Sequence, residues 1–148
     1  MRQTPAMKTI LIATDGSAGA AAAVSAGITL ARELGGSAAV VYVRPPIGAL
    51  GDPFYQRKLS EQMHDADAAL DAARAEAERQ GAAIQTDVLE GDAAETIVDV
   101  ARSRDVDLIA VGSRGLGAVK GALLGSVSSE IVHRADRPVL VVKERGAA

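Results

Sequence analysis

The sequence contains no cysteine and no tryptophan, and its only aromatic residues are Tyr42, Phe54 and Tyr55. The absence of cysteine excludes disulfides, thiolate metal sites and a cysteine nucleophile, and it suits a cytoplasmic protein. The scarcity of aromatics leaves little surface on which single-stranded RNA or DNA bases can stack. It also requires a core built from Ala, Val, Leu and Ile. Basic residues are not in excess. Sixteen Lys and Arg stand against 19 Asp and Glu, a formal net charge of −3, so the broad positive footprint of a nucleic-acid binder is not expected. No stretch approaches the ~20 apolar residues that cross a bilayer. The apolar run Ile10–Ala13 is too short for the core of a signal peptide. Neither nucleic acid nor membrane is therefore expected as a partner.

What is present fits one domain: 148 residues, 48% of them hydrophobic. A chain of this length buries roughly 70% of the surface its unfolded form exposes. The short polar segment 1–7 reads as a disordered extension, with Met7 as an alternative start. The domain then covers 8–143, and 144–148 form a short tail.

Four unbroken apolar, β-branched runs stand out: Lys8–Ala13, Ala38–Val43, Leu108–Val111 and Val139–Val142. Such runs suit strands covered on both faces of a parallel sheet. A weaker alternating run, Ala83–Leu89, reads as an edge strand with Gln85 and Asp87 on one side. Helical spacing links the runs. Val24, Ile28, Ala31 and Leu34 precede a Gly35–Gly36 stop, and Leu59, Met63, Ala66, Leu70, Ala73 and Ala77 precede Gly81. Asp92 and Glu95 have the spacing of a capping box before Ile97, Val100 and Ala101. A last short helix follows Gly125 and ends before Pro138. Alternating strands and helices imply an α/β fold, a single doubly wound domain with right-handed crossovers. Ligands of such sheets bind beyond the carboxyl ends of the strands, where the strand order reverses. Arg44–Pro53, with three prolines and two glycines, reads as a loop over that end.

The segment most informative about chemistry is 111–128, VGSRGLGAVKGALLGSVS, between a strand and a helix. Gly112 and Gly115 are followed by Gly125 and Ser126. Glycine allows close backbone approach to an anion and positive φ, and successive free N–H groups cradle phosphate oxygens. The helix start after Gly125 adds unpaired donors and a positive dipole end. The hydroxyls of Ser126 and Ser128 are placed to donate to the same phosphates or to cap the helix. Arg114 and Lys120 are within reach of phosphate, or are plain surface charge. No Gly-Lys-Ser/Thr follows the glycines, so the loop is not a Walker A motif. A second feature, Ala13-Thr14-Asp15-Gly16-Ser17, ends the first strand. If the first and fourth strands are neighbours, Asp15 lies near the glycine loop. There it can hold Mg²⁺ or accept a hydrogen bond from a ribose hydroxyl or adenine amine. Otherwise Asp15 or Ser17 caps the first helix.

The spacing G-x2-G-x9-G-S, the opening ILIATDGS and the closing RPVLVV resemble the ATP-binding branch of the universal stress proteins. The resemblance runs from about Lys8 to Lys143. It implies an adenine nucleotide alpha-hydrolase-like fold, a five-stranded parallel sheet of order 3-2-1-4-5 with helices on both faces. It implies adenine held near Ala13 and Val43, and Asp15 near the ribose or a metal. Phosphates are implied at Gly112, Gly115, Gly125 and Ser126, with Val127 and Ser128 close by and Ser113 and Arg114 in the same loop. It also implies a homodimer formed through the edge of Val139–Lys143. Three readings of function stand: a nucleotide-dependent stress-response regulator, the preferred one; a slow Mg-dependent ATPase; and a ligand-free structural dimer, against which the intact glycine spacing argues. No convincing general base is found. His64 and His133 lie in helical patterns and read as exposed or capping side chains.

Overall fold

The computed structural model describes residues 8–48, 51–116 and 124–145. Nine elements alternate among the described residues: β1 (Thr9–Ala13), α1 (Ala18–Glu33), β2 (Ser37–Arg44), α2 (Tyr55–Gln80), β3 (Ile84–Glu90), α3 (Ala93–Ser103), β4 (Leu108–Gly112), α4 (Ser126–Arg134) and β5 (Val139–Val142). The strands are all parallel, in the order β3-β2-β1-β4-β5. Three of the unbroken apolar runs form β2, β1 and β4 in the middle of the sheet, and the fourth forms the edge strand β5. The alternating run, with Gln85 and Asp87, takes an edge. Among the described residues no helix is long and apolar enough to cross a membrane.

Side chains alternate across a strand, and the core accordingly falls into two layers. Ile10, Ile12, Val40 and Ala110 face α1 and α2, packing on Val24, Ile28, Leu70 and Ala73. Leu11, Ala13, Val41, Ile109 and Val111 face α3 and α4, packing on Ile97, Val98, Ala101 and Ile131. The regular apolar seam of α2 is thus a face lying on the sheet.

Local chemistry sets the helix ends. The Ser17 hydroxyl caps α1 by accepting from Ala20 N–H at 3.1 Å. The left-handed Gly35 (φ 68°) closes α1, and Gly81 (φ 67°) closes α2. Asp92 caps α3 through Glu95 N–H. Helix α2 begins at Tyr55, four residues before the first residue of its periodic pattern. Asp52 accepts Phe54 N–H at 2.8 Å and the Lys58 ammonium at 2.9 Å, an arrangement with no hydrophobic signature.

At the amino end of the sheet, Asp107 ties β1 to β4. Its Oδ2 accepts Lys8 N–H, Thr9 N–H and the Thr9 hydroxyl at 2.8–3.0 Å. These bonds, led by the backbone ones, hold the Asp107 carboxyl below the usual aspartate range. A depressed folded-state pKa adds stability at pH above the unfolded value, and that stability is lost as pH falls through the folded one. We therefore expect stability to decline below about pH 4. An Asp107→Asn variant should be less stable at neutral pH and show a flatter decline, as read by urea titrations at stepped pH. Nearby, the Arg137 guanidinium donates to the carbonyls of Ala101 (2.9 Å) and Val106 (2.8 Å), fastening the turn from α3 into β4. The Asp107 bonds hold β1 against the start of β4, and the two strands pair from Ile10 with Leu108 to Ile12 with Ala110, short of Ala13 and Val111 at their carboxyl ends.

Candidate functional site

Helix α1, which follows β1, covers one face of the sheet, and α4, which follows β4, covers the other. The chain therefore leaves the carboxyl ends of β1 and β4 in opposite directions, and a crevice opens between them. One cleft occupies it. Its apolar end is formed by Ala13, Val41, Val43 and Val111 of the strands with Ala93 and Ile97 of α3. Its polar end is formed by Asp15, the loop residues Gly112, Arg114 and Gly115, and the first residues of α4. A mostly apolar pocket with a few converging polar groups is the usual form of a small-molecule site.

The polar end offers backbone donors. Gly125 is the N-cap of α4 and supplies no side-chain cap. The first-turn N–H groups of Ser126, Val127 and Ser128 lack a capping side chain where the helix meets the cleft. By contrast, Ser17 and Asp92 cap α1 and α3. A helix N-terminus left open towards a cleft is suited to an anion.

The loop is fastened at its base. Gly125 N–H donates to Ser113 O at 2.6 Å, and Ser113 N–H donates to Val142 O at 2.9 Å. The Ser128 hydroxyl, only 2% exposed, donates to Ser113 O at 2.8 Å. Ser128 does not cap α4, since Gly125 holds the cap position; its hydroxyl joins the loop to the helix. Nor does Ser126 cap it; Ser126 is the first residue of α4 and is exposed.

None of Gly112, Gly115 and Gly125 adopts the left-handed region, contrary to the expectation of positive φ. Packing accounts for the first two. A Cβ on Gly112 would lie 2.7 Å from the Gly19 carbonyl oxygen, and one on Gly19 would collide with the Arg114 carbonyl. The first turn of α1 and the start of the loop meet there backbone to backbone. At Gly125 a Cβ would meet Arg114 Cα at 3.4 Å and Ser113 O at 3.5 Å, contacts of ordinary van der Waals length.

Of the sequence-selected residues, Ala13, Asp15, Val43, Gly112, Arg114, Gly115, Gly125, Ser126, Val127 and Ser128 all border this cleft. Ser113 is buried behind the wall. Lys120 lies outside the described residues. His64 and His133 are exposed on α2 and α4 and do not border the cleft. Sequence reasoning did not single out Thr14, Ala20, Val41, Ala93, Ile97 and Val111 as site residues. The available signal was strand alternation: Ala13 and Val111 are the last residues of their strands facing α3 and α4, and Val41 shares that face with Val43 near the end of β2. Tyr42 lies beside the site on the other face. Burial first, then the carboxylates of Asp65 and Asp15, push its phenol pKa up. Among the described residues no group of three or more His, Cys, Asp or Glu is gathered to hold a metal unaided.

The fold has close structural relatives. A universal stress protein from Lactobacillus plantarum superposes with a TM-score of 0.83 at 23% identity, covering 94% of this chain and 99% of that one. A universal stress protein in complex with cAMP gives a TM-score of 0.71 at 24% identity, covering 95% and 99%. An Arabidopsis thaliana family member with AMP bound gives 0.70 at 20% identity, covering 95% and 93%. In sequence, a universal stress protein from Thermus aquaticus is 37% identical over 139 residues, 92% of this chain and 98% of that protein. The profile of the universal stress protein family matches residues 7–143, and the chain belongs to that family.

Proposed function

We propose that this protein binds an adenine nucleotide, ATP in its working state, in the β1/β4 cleft. In this reading it acts in the cytoplasm as a nucleotide-dependent regulatory protein of the stress response. The observation that carries the reading is the meeting of three features in one crevice: an apolar slot, a tightly fastened glycine loop and a helix N-terminus without a side-chain cap. The slot between Ala13, Val43 and Ile97 suits a flat base. The open N–H groups of α4, with those of the glycine loop, suit phosphate. The fold neighbours carrying cAMP and AMP support an adenine ligand.

Asp15 and the nucleotide's own phosphates would hold Mg²⁺, with water completing its shell; the ion offsets phosphate charge. Leu116 and Val127, 74% and 38% exposed, lie at the rim. Nucleotide bound between them alters the apolar surface offered to a protein partner. A second copy of the chain is the expected permanent partner, added along the outer edge of β5 at Val139–Lys143. Sedimentation of the purified protein is expected to give the mass of two chains.

The nucleotide content of the purified protein tests the reading. Denaturation followed by anion exchange should release adenine nucleotide at about one per chain. If the protein is recovered empty, Mg·ATP at a hundred times its Kd should add about 2.7 kcal/mol of stability. For a chain of this size that raises Tm by roughly 6–10 °C. An empty protein whose Tm does not move with ATP would overturn the assignment.

A further inference from the structure

Asp15 is engaged at both oxygens. Oδ1 accepts Ser17 N–H at 2.9 Å, closing the turn into α1. Oδ2 accepts Leu116 N–H at 2.9 Å, from a residue 101 positions away on the other side of the switch point. The same Oδ2 stands where a side chain on Gly115 would begin. The three atoms nearest to a Cβ built there are Oδ2, in collision, then Cγ at 3.3 Å and Oδ1 at 3.8 Å. All three belong to Asp15. Gly115 is not in the left-handed region, so its backbone alone would accept alanine.

We propose that Asp15 is the positioning residue of the glycine loop, and that position 115 is glycine because a side chain there would displace the Asp15 carboxylate that fixes the loop. The carboxylate fixes the loop from β1. Its bond to Leu116 brings the Gly115 peptide against Asp15, while Gly125 N–H and the Ser128 hydroxyl hold Ser113 from α4. With both ends of 113–116 held, the loop donors have a set direction before any ligand arrives, which spares the ordering cost on binding. A charged acceptor suits this bond, since hydrogen bonds to ionised groups are the stronger ones. Asparagine would not replace it. Its Oδ1 still accepts from Ser17, but its amide nitrogen donates and would face the donor of Leu116.

The role of the loop in binding rests on the nucleotide reading, whereas the contact itself does not, so the test uses two readouts. The first is hydrogen exchange at the Leu116 amide in nucleotide-free protein, followed by ¹⁵N NMR. Wild type is expected to exchange about tenfold or more slowly than Asp15→Asn, which keeps the Ser17 turn. The second is a cycle of wild type, Gly115→Ala, Asp15→Ala and the double variant, read by thermal melting and by ATP calorimetry. Gly115→Ala should lower Tm when Asp15 is present and leave it nearly unmoved in the Asp15→Ala background. For ATP affinity, Gly115→Ala should cost about tenfold or more with Asp15 present and less than about threefold without it. Equal Gly115→Ala effects on Tm in both backgrounds, or equal Leu116 exchange in wild type and Asp15→Asn, would overturn the proposal. A wild type that binds no ATP would remove the nucleotide reading, while exchange and melting would still decide the Asp15–Gly115 contact.

Discussion

Replacing Gly125 with valine is expected to abolish nucleotide binding while leaving the far-UV circular dichroism nearly unchanged. The helix that follows is short, and its open donors begin at the next residue. A first side-chain carbon at Gly125 meets Arg114 Cα at 3.4 Å and Ser113 O at 3.5 Å. Alanine would be close to tolerated there. The two further methyl groups of valine have nowhere to go except against the loop or into the cleft. Either course separates the N–H groups of Ser126 and Val127 from phosphate. Two hydrogen bonds to a charged group lost together correspond to an affinity loss of at least about a hundredfold. The backbone itself permits the change, because Gly125 has an ordinary extended conformation with φ −73°. Calorimetric titration with Mg·ATP measures the effect. A variant that binds as wild type would show that α4 does not hold the phosphates.

The second large effect is expected at Ile131. Within α4 only Ser128 and Ile131 are buried, and Ile131 is 0% exposed. It packs against the layer formed by Leu11, Ala13, Ile109 and Val111. Truncation to alanine removes three carbons and leaves a cavity, at a cost of about 2–5 kcal/mol. For a chain of this length, that is a Tm lower by about 6–15 °C. The consequence extends to the site, because Ile131 anchors the helix whose N-terminus borders the cleft. ATP affinity should therefore fall together with stability. An exposed neighbour changed likewise, Val132→Ala (Val132 is 47% exposed), should alter both by little. A drop in Tm at Ile131 with affinity intact would show that the loop, and not α4, sets the polar end.

The strands were the most legible part of the sequence, because a parallel strand with helices on both faces must be apolar on both, and few other segments have that need. KTILIA, AAVVYV, LIAV and VLVV each became a strand to within a residue or two. The start of α2 was not legible: it depends on Asp52 meeting Phe54 N–H and Lys58, a polar turn without periodicity. At the site, the glycine spacing was visible but its physical cause was not. Position 112 is glycine because α1 crosses there at Gly19, and position 115 meets the carboxylate of a residue one hundred positions earlier. Both contacts arise from how the crossovers pack, which no local pattern encodes. The cap of α4 was not legible for a similar reason. A serine near a helix start usually caps it, yet here Gly125 takes the cap position and the hydroxyl is drawn to Ser113. Val41, Val111, Ala93 and Ile97 look like any other core residues in sequence. Only the position of the switch point makes them a pocket wall.

Nucleotide occupancy of the crevice between β1 and β4 is the central functional expectation. Titrating ¹⁵N-labelled protein with Mg·ATP tests that most directly, since it reports whether binding occurs and where. The prediction is a saturable response concentrated on the amides of Gly112, Gly115, Leu116, Ser126, Val127 and Ser128, with smaller shifts at Ala13 and Val43. No response at millimolar ATP, or one confined to the amino end of the sheet around Lys8 and Asp107, would contradict it.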